Sequence, residues 1–279
     1  HSLILEEAGI LVKQVHDPSQ VLEVLASFAP DLVLVDVYMP QCTGLELAGI
    51  IRMVPEYLSM PILYLSSEMN LQKQHKAMQV GVEGFITKPV VPDELASAVI
   101  LRAERMRSLR RLMTHDSLTG LYNHSSIKEI IENTIKQANR SSDSLVLVML
   151  DLDMFKQVND YYGHLAGDQV LVALARMLKH RLRATDIIGR YGGEEFVILL
   201  RKVTLNEAFT LIDTLREDFS KIAFSSGTRD FNCTLSAGLS ALTEQGSIEA
   251  LINAADVALY QAKSAGRNRV MTDAAASLL

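Results

Sequence analysis

Six consecutive apolar residues, Leu145 to Leu150, run directly into Asp151 and Asp153. A continuous apolar run of this kind predicts a strand covered on both faces, and a buried strand ends in carboxylates only where something offsets their desolvation. If the strand persists, alternation places Asp151 and Asp153 on one face. A second stretch, Arg190-Tyr191-Gly192-Gly193-Glu194-Glu195-Phe196, lies between the apolar runs Ile187-Ile188 and Phe196 to Leu200. It predicts a β-hairpin with the two glycines at its tip. Laid beside the buried strand, that hairpin brings Glu194 and Glu195 near the aspartates. Clustered carboxylates repel unless a cation sits among them, and hard oxygen donors next to a substrate phosphate point to Mg²⁺ or Mn²⁺.

Two further segments add polar groups. FKQVNDYYGHLAGDQVLVALA carries Lys156, Asn159, His164 and Asp168, with a helix expected to start near Asp168. Taken singly, Asp168 reads equally as a helix-start acid and Asn159 as a turn residue. ADVALYQAKSAGRNRV supplies Lys263 and Arg267, which on a continuous helix stand one turn apart on the same face. Two cations beside carboxylates that hold a metal suit a triphosphate.

The motifs DSLTGLYN, DLDMFKQVND, GHLAGD, RYGGEEF and ALYQAKSAGRNR occur in this order over roughly residues 112 to 275, and together they resemble the GGDEF family of diguanylate cyclases. The resemblance implies a palm-like α/β fold of the nucleotidyl cyclase type, GTP as substrate and cyclic di-GMP as product. It implies Mg²⁺ (or Mn²⁺) held by Asp151, the carbonyl of Leu152 and Glu194. Phe155, Asn159, His164 and Asp168 then surround the guanine, and Lys156, Lys263 and Arg267 hold phosphates. Gly192 and Gly193, having no side chains, let the hairpin tip lie against the nucleotide. Glu195 stands near enough to assist the ribose 3′-hydroxyl; which glutamate takes the proton stays open. The stretch RATD, Arg183 to Asp186, matches the family's RxxD product-inhibition site, and read by itself is a charged helix end. His124 stands where the family usually has arginine. A silent cyclic di-GMP receptor on the same fold would show a lost acid in GGEEF, and none is lost. The product joins two GMP units through two equivalent bonds, so a homodimer with facing half-sites is expected.

In the first half, from Gly9 to about Pro92, short apolar runs alternate with helical patterns: ILVKQV, PSQVLEVLASFAP, DLVLVDVYMP, MPILYLSS and GFITKPV. This predicts a doubly wound parallel sheet with helices on both faces. In such sheets the chemistry gathers at the carboxyl ends of the strands, where Asp36, Ser66 and Lys88 fall. DLVLVDVYMP, PILYLSS and GFITKP resemble a response-regulator receiver domain. The resemblance implies Asp36 as phosphoacceptor for a sensor kinase. It also implies Ser66 as the switching hydroxyl on the phosphoryl group, Lys88 as its cation and Phe85 as the aromatic that repacks. The family's first strand, with its acidic pair for Mg²⁺, is expected to precede His1.

These readings divide the chain into an N-terminally incomplete receiver-like domain (1–92), a connecting helix (93–115) and a GGDEF domain (116–279). In the connector, Leu95, Val99, Met106, Leu109 and Met113 recur at steps suited to pairing with a second copy, while Arg105, Arg107, Arg110 and Arg111 read as a solvated face. A hydrophobic content of 48% with 22% charged residues is that of a globular chain. The net charge of −6 argues against long nucleic acid as a partner. Cys42 and Cys233 are too few for a disulfide framework or a thiolate metal site and fit a reducing cytoplasm. No apolar run approaches the roughly 20 residues of a membrane helix.

Overall fold

The computed structural model describes residues 1–67, 84–141, 143–227, 229–242 and 247–273. The chain divides into two compact units, His1–Arg111 and Leu112–Leu279. Among the described residues no helix is long and apolar enough to cross a membrane.

In the first unit, strands β1 (Val33–Asp36), β2 (Ile62–Ser66) and β3 (Gly84–Thr87) form a parallel sheet in that order. The central strand β2 is buried throughout, and its alternation serves both faces. Ile62 and Tyr64 pack with Val21 and Leu25 of α2 (Val21–Phe28) and with Leu47, Ala48 and Ile51 of α3 (Gly44–Arg52). Leu63 and Leu65 pack with Leu5 of α1 (Ser2–Glu7) and with Leu95 and Val99 of α4 (Pro92–Thr114). Helix α3 begins with a reciprocal capping box between Thr43 and Glu46. Gly44 has to be glycine, because an added Cβ would lie 2.4 Å from the carbonyl oxygen of Asp36.

Two sequence expectations change here. The run ILVKQV, Ile10 to Val15, is not a strand. An apolar run becomes a strand only with a hydrogen-bonding neighbour, and among the described residues β1 pairs with β2 alone. A cavity of about 730 Å³ is lined by Val12 and Val15 of that run together with Val33 and Val35 of β1. The pairing stripe of the connector is also shorter than expected. Leu95 and Val99 are buried in their own unit's core, which leaves Leu109, Leu112 and Met113 exposed. Arg107 and Arg110 are not merely solvated, since both meet Asp31, at 2.6 and 3.6 Å.

In the second unit, a five-stranded sheet runs in the order β10 (Val270–Thr272), β9 (Leu235–Ala241), β4 (Leu145–Leu152), β6 (Glu195–Arg201), β5 (Ile187–Gly192). Only β10 and β9 are parallel. Every residue of the central strand β4 is buried. Its even-numbered residues join α7 (His164–Arg181) and α8 (Leu205–Ser220) in one core, and Leu145, Leu147 and Met149 join α5 (His124–Ser141) and α9 (Ile248–Ser264) in the other. Helix α9 lies so close on β9 that a Cβ at Gly238 would be 2.1 Å from the backbone nitrogen of Leu259 and 2.2 Å from the carbonyl oxygen of Ala255. Backbone cannot step aside as a side chain can, so Gly238→Ala is expected to cost about 3 kcal/mol, read as a lower denaturant midpoint.

Candidate active site

Strand β4 carries Asp151 to its carboxyl end, where it pairs in register with Glu195. The hairpin tip is Gly193-Glu194, one residue beyond the expected Gly-Gly, because Gly192 already pairs with Glu195. A bulge between Arg190 and Gly192 consumes Tyr191 and moves the tip. Gly193 takes a positive φ of 27°. The N–H of Leu152 donates to the carbonyl oxygen of Glu194 at 3.3 Å, which ties the tip to the exit of β4.

Asp151 is buried, and Lys263 Nζ stands 2.8 Å from its Oδ2. Burial pushes the Asp151 carboxyl up to about 6, with Glu194 and Glu195 adding to the rise and Lys263 opposing it. The cluster is therefore short of positive charge. Among the described residues no three His, Cys, Asp or Glu side chains converge on a metal-sized point. The donor set is two carboxylates, Asp151 and Glu194, beside a strand-end carbonyl. Hard oxygens with places left for water and phosphate fit Mg²⁺.

β4 ends at Leu152, yet beside Ser236, which pairs in register with Asp151, Asp153 stays on the Asp151 face. Its carboxylate accepts from Thr234 Oγ1 at 2.7 Å, from Ser236 Oγ at 2.7 Å and from the N–H of Asn268 at 2.9 Å.

Beside the hairpin tip lies a cavity of about 480 Å³ lined by Phe155, Lys156, Asn159, His164, Asp168, Leu171, Arg190, Gly193 and Glu194. Helix α6 (Phe155–Tyr162) presents the first three. Helix α7 presents His164, Asp168 and Leu171 at steps of four and three, which keeps them on one face. It starts at His164 and not near Asp168, because Gly163, at φ 83°, breaks the chain between the two helices. Gly167 of α7 abuts Asn159, whose Oδ1 would lie 2.0 Å from an added Cβ.

Arg190 and Asp116 were not singled out from sequence. Arg190 donates twice to the carbonyl oxygen of Gly193, at 2.9 and 2.7 Å, and pairs with both oxygens of Asp116 at 3.2 and 3.1 Å. Burial raises the Asp116 carboxyl, but hydrogen bonds from Thr119 and the charge of Arg190 outweigh it and hold the group below its ordinary value. The acid opening DSLTGL and the base opening RYGGEEF were both visible, yet nothing local ties residues 74 apart. Arg190→Ala releases the tip carbonyl, and turnover is expected to fall about tenfold through misplacement of Glu194, measured as kcat at saturating nucleotide.

Arg267 is not one helical turn from Lys263. Helix α9 stops at Ser264, and Gly266, Arg267 and Asn268 all have positive φ, so Arg267 sits on a turn. In RATD, the N–H of Arg183 donates to Asp186 Oδ2 at 2.9 Å, just past the end of α7, while the Arg183 residue stays exposed. The ring of His124 packs 4.6 Å from that of Tyr191. In the first unit, Lys88 Nζ bonds the carboxylate of Asp36, and the N–H of Lys88 donates to the carbonyl of buried Ser66 at 2.8 Å. Phe85 stacks on Tyr64 at 5.4 Å. The three strand-end residues thus come together.

The family model for the diguanylate cyclase GGDEF domain matches residues 113–269, and that for the response regulator receiver domain matches residues 1–100. The response regulator PleD of Caulobacter vibrioides is 33% identical over 258 residues, covering 88% of this chain and 57% of PleD. The chain thus spans little more than half the length of that relative. The diguanylate cyclase DgcP of Pseudomonas aeruginosa is 42% identical over 155 residues, 56% of this chain and 23% of DgcP. Among solved structures, the coiled coil and GGDEF domain of DgcB from Caulobacter crescentus, in complex with c-di-GMP, matches with a TM-score of 0.60 at 28% identity, over 64% of this chain and 95% of that one. With more than half its length matched by one family model, and with a site built from that family's motifs, the chain belongs to the GGDEF diguanylate cyclase family and carries a response regulator receiver domain ahead of it.

Proposed function

We propose that the chain condenses two GTP into cyclic di-GMP with release of two pyrophosphates, as a homodimer under the control of its receiver unit. One observation carries the reading: a nucleotide-sized cavity with Asn159 and Asp168 on its wall opens beside the Glu194 tip, and that tip is tied to the strand end that carries buried Asp151. The DgcB complex with c-di-GMP supports it by likeness.

Asn159 and Asp168 read the guanine edge, the carboxylate accepting from ring N–H donors and the carboxamide offering both a donor and an acceptor. Phe155 and His164 flank the base. Lys156, Lys263 and Arg267 hold the phosphates; Lys263 exchanges Asp151 for a phosphate when the nucleotide arrives. Asp151, the Leu152 carbonyl and Glu194 are the residues that would hold Mg²⁺, which would polarise the α-phosphate and neutralise charge on the leaving pyrophosphate. One carboxylate of the pair Glu194 and Glu195 accepts the proton of the ribose 3′-hydroxyl, whose oxygen forms the new bond to the α-phosphorus of the facing GTP as the bond to pyrophosphate breaks. The same step, repeated with the roles of the two chains exchanged, closes the ring. In the first unit, Asp36 takes a phosphoryl group from a sensor kinase, with Lys88 and Ser66 on its oxygens and Phe85 following the change. Incubation with GTP and Mg²⁺ is expected to give cyclic di-GMP, identified by mass, and ATP to give no cyclic dinucleotide. Absence of product from GTP, or equal product from both, contradicts the assignment.

Arg183 and Asp186 bind the product and hold the two active sites apart, acting through conformational population and not by competition with GTP. Arg183→Ala is expected to keep initial turnover while product accumulates past the level at which the parent protein stalls. Equal stalling in both proteins removes Arg183 from this role.

A further inference from the structure

Arg267 and Asn268 hold consecutive left-handed backbone angles, with φ of 63° and 45°. Asparagine tolerates this region. For arginine it is unfavourable and persists only where the surroundings hold it. Two groups hold it, one at the Asn268 N–H and one at its side chain. The buried carboxylate of Asp153 accepts the N–H of Asn268 at 2.9 Å, and Arg216 of α8 donates to Asn268 Oδ1 at 3.0 Å. Both are themselves fixed: Asp153 by Thr234 and Ser236, and Arg216, only 14% exposed, by Asp213 at 2.6 Å. The N–H of Arg267 donates to the carbonyl of Ala262 at 3.1 Å, and the carbonyl of Arg269 accepts from Ala237 at 3.0 Å. The backbone of an exposed arginine is thus set by β4, α8 and β9 together.

We propose that Asp153 and Arg216 are positioning residues that clamp Asn268 from two sides and so aim Arg267 at the triphosphate. The proposal rests on the reading of Arg267 as a phosphate contact. An arginine side chain carries large rotamer entropy, and a fixed backbone leaves less to lose when it meets its anion. Neither Asp153 nor Arg216 lines the guanine cavity, so the clamp acts on the phosphate end alone.

The test compares two ligands, a GTP analogue with a methylene bridge between the α- and β-phosphorus and plain guanosine, by calorimetry on the whole chain with Mg²⁺. Arg216→Met keeps the apolar stem and loses the guanidinium. It is expected to weaken the analogue about tenfold and to leave guanosine unchanged, because preorganisation is lost only where phosphate is bound. Asp153→Asn, nearly the same size, is expected to act in the same direction. In the Arg267→Ala background, Arg216→Met should add nothing, since the two losses share one route. Additive losses, or equal weakening of guanosine, overturn the clamp. If Arg267→Ala weakens the analogue but Arg216→Met does not, the clamp alone falls. If Arg267→Ala leaves the analogue unchanged, the phosphate assignment falls and the clamp with it.

Discussion

Glu194→Gln is expected to lower kcat by roughly 10³-fold with no loss of thermal stability. The substitution keeps volume and removes the charge. Glu194 sits in the two-residue tip of the hairpin, half-buried, with its carbonyl tied to the N–H of Leu152. Its backbone place does not depend on its carboxylate, so the fold should survive. Relief of repulsion should bring the Asp151 carboxyl back toward its ordinary range, since Glu194 helps push it up. Near-parental turnover would remove Glu194 from the metal site, and a lower melting temperature would show a structural role instead. Affinity for Mn²⁺, read by electron paramagnetic resonance, should fall with turnover.

The second large effect concerns assembly. Leu109 and Met113, four residues apart on α4, are both exposed and lie beyond the part of the helix that its own unit buries. In the proposed dimer, glutamate at both positions places like charges across the seam between two copies, which such helix pairs do not tolerate. Specific activity is expected to drop roughly a hundredfold in dilute solution and to recover steeply with protein concentration, because the product needs two half-sites. Activity per chain that stays constant on dilution far into the monomer range, in parent and variant alike, would rule out facing half-sites.

What was legible in the sequence was what local periodicity carries. The unbroken run Leu145 to Leu150 announced a strand covered on both faces, and β4 is that strand. His164 and Asp168 line one cavity as expected, though the helix that carries both begins earlier than expected, at His164. The misses occurred where a single residue left its regular backbone region. A bulge at Tyr191 moved the hairpin tip, and a left-handed Arg267 left the helix of Lys263. Partnership over long distances was the other blind spot. Among the described residues the run at Ile10 has no strand neighbour, Leu95 and Val99 were spent on their own core, and the Arg190–Asp116 pair spans two motifs that read as separate.

The most direct test of the central account follows pyrophosphate and nucleotide product together in one reaction of the chain with GTP and Mg²⁺. The account predicts two pyrophosphates released for every cyclic di-GMP formed, with both disappearing together in Glu194→Gln. One pyrophosphate per cyclic mononucleotide, or pyrophosphate release without a cyclic dinucleotide, would contradict it.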